Sequence, residues 1–146
     1  MAALLREWEI ASALLCASTS TLLALDPPPG EEGWAAQIGP DAAPQRLKLA
    51  NRALSASGLA VKGSHIIDTR TGGPAAGRFR AWAVAPTALR QAQGGVSLSN
   101  AAALADALST AFMVMSDEEI RAYCRSHAGV SAYLLSLTGS ACVAIP

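Results

Sequence analysis

An excess of charge of either sign is missing from this sequence: 11 Lys and Arg stand against 11 Asp and Glu, a formal net charge of zero. That argues against the basic track of a nucleic-acid binder and the polybasic segment of a membrane-surface protein, so any partner is chosen by a local site. Cysteine is sparse and odd in number, and Cys16, Cys124 and Cys142 have no metal-ligand spacing; they are read as small apolar residues. No segment offers the unbroken apolar length of a membrane-spanning helix. Met1 to Leu25 lacks the charge pattern of an export signal, since Arg6, Glu7 and Glu9 interrupt it, and a soluble cytoplasmic protein is expected. Internal repeats and low-complexity tracts are also absent.

What is present suits one domain. A chain of 146 residues, 51% hydrophobic and 15% charged, can bury a single core. Leu4, Leu5 and Trp8 have helical spacing, so the chain enters as a short amphipathic helix over Met1 to Trp8. Strands are expected at Ser12 to Ala17 and Leu22 to Leu25, then at Trp34 to Ile38 and Gln45 to Ala50 as antiparallel neighbours. Between them, Asp26 to Gly33 and Pro40 to Pro44 stop regular structure with proline and glycine. Asn51 to Gly58 reads as a short strand or a loop, and Ser64 to Asp68 and Arg80 to Ala85 read as strands.

Pro86 to Asn100 is irregular, broken by Gly94 and Gly95, and Ser99 or Asn100 can cap the next helix. That helix, Ala101 to Met115, is rich in alanine and leucine, with Leu104, Leu108, Ala111 and Met115 on one face. Ser116 to Glu119 is an N-cap signature for a further helix, Asp117 to Ser126, whose acidic first turn suits the helix dipole. His127, at its end, is a favourable C-terminal charge. Ser131 to Ser136 and Ala141 to Ile145 are expected to close the chain as strands.

Two stretches carry chemistry. Ser64 to Gly73 gathers His65, Asp68, Arg70 and Thr71 before a Gly-Gly-Pro turn, with Asp68 and Arg70 read as a pair that fixes the loop. Asp106 and Thr110 lie four apart on the expected helix, so a carboxylate and a hydroxyl project from one face. These are hard oxygen ligands of the kind Mg²⁺ accepts, completing its shell with waters and phosphates. By spacing alone the plainer reading is favoured: Asp106 solvates the helix and Thr110 bonds back to the preceding turn.

His65-Ile66-Ile67-Asp68-Thr69-Arg70-Thr71-Gly72 followed by Ala105-Asp106-Ala107-Leu108-Ser109-Thr110-Ala111 resembles the two signature stretches of the ApbE family, the FAD:protein FMN transferases. The resemblance extends to Ala53 to Gly58, to Pro27 to Ile38 and to Phe112 to Met115, roughly Leu22 to Leu135 in all. It implies an α+β fold, a mixed or antiparallel sheet packed by a few helices. It also implies a Mg²⁺-dependent transfer of FMN from FAD, the substrate, to a threonine of a flavin-accepting protein, with release of AMP.

By the same resemblance Asp106 and Thr110 are metal ligands, His65 activates the acceptor hydroxyl, and Ser57, Gly58, His65 and Ile66 contact the flavin nucleotide. Thr69 stands where the family has proline, Cys16 to Thr21 where it has a glycine-rich stretch, and Pro86 to Asn100 is an insertion. The resemblance covers the family's C-terminal half. An active enzyme then requires an oligomer or a partner chain to supply the upstream wall of the flavin pocket, unless the true start of the chain lies further upstream. The alternative is a truncated or degenerate non-catalytic domain acting as an interaction module, or one half of a split enzyme.

Overall fold

The computed structural model describes residues 1–60, 63–87, 100–139 and 141–145. Its elements in chain order are α1 (Ala2–Glu7), β1 (Leu14–Ala17), β2 (Thr21–Ala24), β3 (Trp34–Ile38), β4 (Gln45–Leu49), β5 (Arg52–Gly58) and β6 (Ile67–Asp68). β7 (Gly73–Pro74), β8 (Arg78–Pro86), α2 (Ala101–Ala111), α3 (Asp117–Ser126), β9 (Ser131–Ser136) and β10 (Val143–Ile145) follow. The six strands of the main sheet run in the order β1-β2-β5-β8-β9-β10, with every neighbouring pair antiparallel. β3 and β4 form a separate antiparallel hairpin, as their spacing across Pro40 to Pro44 predicts.

The sheet is covered on both faces, and the strand period of two assigns residues to each. Leu54, Trp82 and Val84 pack with Ile38 and Leu49 of the β3–β4 hairpin. Their neighbours Ala53 and Ala85 face the other way, against Ala101 and Ala105 of α2 and Ala2 of α1. Further along that face Ala81, Ala83, Ala132 and Leu134 join Leu108, Phe112, Ile120 and Cys124 from the two longer helices. Alanine on both sides of the contact lets the α2 backbone come close to the sheet.

Several expected boundaries move. The first strand begins at Leu14, with Ser12 making only an isolated bridge to Asp26. The second runs from Thr21 to Ala24, and the fourth ends at Leu49. Asn51 is a turn residue with φ +52°, and the strand after it is Arg52–Gly58. The strand expected over Ser64 to Asp68 is confined to Ile67–Asp68, paired with Gly73–Pro74 in a small hairpin. Ile66 turns its side chain into the core while Ile67 is 50% exposed, so this segment does not extend a sheet.

β8 is longer than expected, Arg78–Pro86, and the last strand is Val143–Ile145. α2 ends at Ala111 instead of Met115, and its buried face is Ala101, Ala105, Leu108 and Ser109 rather than a Leu104, Ala111 and Met115 stripe. Asn100 occupies its N-cap position without a side-chain capping bond; Ser99, Gly94 and Gly95 lie outside the described residues. Cys124 is buried and Cys142 half-buried, where burial pushes the Cys142 thiol up to about 11. Cys16, expected to be apolar filler, is instead exposed on the edge strand β1.

Ala105 has no exposed surface and sits among Ala53 and Ala85. Ala105→Leu is expected to lose about 1–3 kcal/mol in urea unfolding, because the extra atoms force α2 off the sheet. A variant as stable as the parent would contradict the close helix-to-sheet contact.

Candidate functional site

Residues 53, 55 and 57 of β5 point to the helix face by the same alternation, so Ser55 and Ser57 stand beneath α2. Across the contact α2 presents Asp106, Ser109 and Thr110, three and four residues apart. Ser55 Oγ donates to Asp106 Oδ1 at 3.0 Å and lies 2.9 Å from Thr21 Oγ1 on β2. Ser57 Oγ lies 2.8 Å from both Ser109 Oγ and Thr110 Oγ1. Ser109 Oγ donates to Asp106 O at 2.9 Å, and Thr110 Oγ1 is 3.3 Å from the same carbonyl.

Proton counting fixes the direction of these bonds. An ionised carboxylate only accepts, so the single Ser55 proton goes to Asp106 and Ser55 accepts from Thr21. The Ser109 proton goes to Asp106 O, so Ser109 accepts from Ser57, which in turn accepts from Thr110 at 2.8 Å. All these hydroxyl protons point inward. Asp106 and Thr110 are both exposed, and Asp106 Oδ2 makes no hydrogen bond within the described residues. Among the described residues, Asp106 and Thr110 therefore turn oxygen lone pairs and no donor outward, a set that fits a hard cation with open positions for water and phosphate.

Among the described residues no three His, Cys, Asp or Glu side chains group to hold a metal. A cation here would rest on one carboxylate and one hydroxyl. The back-bond to the preceding turn that spacing alone predicts is present only as a longer, 3.3 Å approach of Thr110 Oγ1 to Asp106 O, which shares the one hydroxyl proton with the 2.8 Å bond to Ser57.

The other stretch is held separately. His65 is exposed, with Nδ1 3.0 Å from Gly63 O, and makes no hydrogen bond to Asp106 or Thr110. Ile66 is buried in the cluster that contains Leu108 and Phe112, which ties the two stretches through the core. Gly58, at the end of β5, has no room for a side chain: a Cβ would lie 2.8 Å from Phe79 O.

Asp68 and Arg70 pair as expected. Arg70 Nε and Nη2 donate to the two Asp68 carboxylate oxygens at 3.0 and 3.1 Å, and the Arg70 backbone N–H adds a bond of 3.0 Å. Arg70 reaches further, to Glu119 at 3.3 Å and to Val114 O. Arg78 donates to Phe112 O at 2.7 Å, to Met115 O and to Asp117 at 2.5 Å. Two guanidinium groups thus collect carbonyls from the turn between α2 and α3. No glycine or proline ends α2; these distant arginines do.

Composition and helical spacing do not reveal Ser55, Thr21 and Arg78. For the serines a signal exists: their spacing of two in a strand sets them on the face opposite to Leu54 and Ala56. A cavity of about 780 Å³ beside the α2–α3 turn, lined by Arg70, Arg78, Met115 and Leu134, includes none of the oxygen-bearing residues of this site.

An antiparallel sheet with α2 laid over its β5 strand is the α+β fold of solved flavin transferases. The ApbE flavin transferase from Vibrio cholerae superposes with a TM-score of 0.69 at 20% identity, covering 98% of this chain and 44% of that one. For the Pseudomonas stutzeri flavinyl transferase ApbE in its apo form the values are 0.70 and 23%, covering 98% and 43%. The ApbE protein from Thermotoga maritima gives 0.62 and 22%, covering 89% and 41%. A sequence model described as ApbE family matches residues 1–134, and the chain belongs to that family. It spans less than half the length of the solved structures it matches. No curated protein matches it in sequence. Among the described residues no helix is long and apolar enough to cross a membrane.

The Arg70 guanidinium, by side-chain hydrogen bonds, holds the Asp68 carboxyl below its ordinary 3.8. For Glu119, ordinarily at 4.5, the Ser116 backbone N–H lowers it first and Arg70 adds to this. Both folded values lie below the unfolded ones, so their contribution to stability is full above pH 4.5 and is lost as pH falls through the folded values. Thermal unfolding of Asp68→Asn followed from pH 7 downward is expected to fall less steeply in acid than the parent. An equal acid slope would remove Asp68 from the account.

Proposed function

We propose that this chain carries the metal-binding and acceptor-activating side of an FAD:protein FMN transferase site. The observation that supports this most is the donor-free oxygen rim of Asp106 and Thr110, set by Ser55 and Ser57, in a member of the ApbE family. The similarity to a solved flavin transferase and a solved flavinyl transferase supports the reaction class. In the proposed reaction a threonine hydroxyl of an acceptor protein attacks the FMN-side phosphorus of FAD. The bond from that phosphorus to the AMP phosphate breaks, AMP departs with the electron pair, and FMN is left joined to threonine through a phosphoester.

Asp106 and Thr110 would hold Mg²⁺, which supplies neutralisation of the diphosphate and of the charge that develops in transfer. His65 is assigned the acceptor's proton. Gly63 O can only accept, so Nδ1 is the protonated nitrogen of the neutral imidazole and Nε2 carries the basic lone pair. The Asp68–Arg70 pair, tied to Glu119 and Val114 O, keeps the loop after His65 in place.

Ser57 and Gly58 would border the flavin nucleotide from the end of β5. Ile66, its side chain buried, would contribute through its backbone. The rest of a flavin pocket comes, in this reading, from residues beyond these 146, whether upstream in the same protein, in a partner chain or in a second copy.

A second reading, a non-catalytic interaction module, draws on the apolar surface around α1, where Leu4, Trp8 and Ile10 are 50%, 74% and 44% exposed. FAD fluorescence titrated with the protein separates the two. Saturable binding that requires Mg²⁺, weakened about tenfold or more in Asp106→Ala, is expected of the transferase. Binding indifferent to both Mg²⁺ and the substitution contradicts the metal assignment, and no binding at all favours the interaction module.

A further inference from the structure

We propose that Ser55, backed by Thr21, is the positioning residue for Asp106, selecting the rotamer that leaves Oδ2 open to a cation. This rests on the metal reading above. Ser55 has no exposed surface, so no water competes for its hydroxyl. Its two partners lie on different elements: Thr21 on β2, and Asp106 on α2. Because the carboxylate accepts and cannot donate, the Ser55 proton has one destination, Asp106 Oδ1. Thr21 then supplies the bond that Ser55 accepts, which holds the hydroxyl rotor in that direction.

The exposed aspartate on α2 would otherwise sample several staggered rotamers. A charge-assisted bond from a fully buried donor restricts it to the orientation in which one oxygen faces the sheet and the other faces out. Such supporting contacts to a ligating carboxylate typically change metal affinity 10- to 100-fold. Ser57 plays the corresponding part for Thr110, accepting its proton at 2.8 Å so that the threonine's lone pairs face outward.

The test uses Mn²⁺ as probe, titrated into the full chain and followed by its electron paramagnetic resonance signal. It is paired with the side-chain couplings of the Asp106 β-protons measured by NMR without metal. Ser55→Ala is expected to weaken Mn²⁺ about 10- to 100-fold and to shift the Asp106 couplings from a single-rotamer pattern to an averaged one. The double variant Thr21→Val with Ser55→Ala leaves no orphaned hydroxyl and guards against loss of fold; it is expected to show the same two changes.

Unchanged couplings in both variants overturn the proposal, as does Mn²⁺ affinity equal to the parent's where Asp106→Ala abolishes binding. Mn²⁺ binding unaffected by Asp106→Ala would instead overturn the metal reading, while the couplings still decide the role of Ser55.

Discussion

The close approach of α2 to the middle of the sheet is the constraint on which the rest depends. It is possible because small side chains meet on both sides: Ala53, Ala81, Ala83 and Ala85 from the strands, Ala101 and Ala105 from the helix. At that separation hydroxyl groups reach one another directly, and the face of β5 carrying Ser55 and Ser57 bonds to Asp106, Ser109 and Thr110 without an intervening side chain. Buried polar atoms at such an interface would be costly unpaired, yet each buried side-chain nitrogen and oxygen among the described residues has a partner. The same bonds that satisfy the interface consume its protons, and this turns an outer rim of oxygens toward solvent.

The helix also has to stop in the right place. Arg78, largely buried, takes carbonyls from the turn after α2 and an aspartate from the first turn of α3, while Arg70 links that turn to the loop after His65. α3 starts there with a full capping box between Ser116 and Glu119, and Glu119 is shared with Arg70. The loop, the end of one helix and the start of the next are thus one hydrogen-bonded unit. The two motif-bearing stretches meet through it and through the core cluster that Ile66 shares with Leu108 and Phe112.

Where a pattern was local, the sequence displayed it. α3 over Asp117–Ser126, β3 over Trp34–Ile38 and β9 over Ser131–Ser136 lie where capping residues and apolar runs put them, and the motif spacing led to the family. The stop of α2 at Ala111 was hidden because its cause, Arg70 and Arg78, lies more than thirty residues away in the chain. Ser64 to Asp68 reads as a strand in sequence, whereas only Ile67–Asp68 pairs, with Gly73–Pro74, and the core takes Ile66 alone of the two isoleucines. The chain from Thr21 through Ser55 to Asp106 spans three elements, and no spacing within one element could announce it.

The most direct test of the central claim is crystallographic: crystals of the protein soaked with Mn²⁺ and a flavin diphosphate, with the metal located by its anomalous scattering. The account predicts a single strong peak in contact with Asp106 Oδ2 and Thr110 Oγ1, with Ser55 still bonded to Oδ1. A peak placed elsewhere on the chain, with Asp106 and Thr110 free of metal, would contradict it.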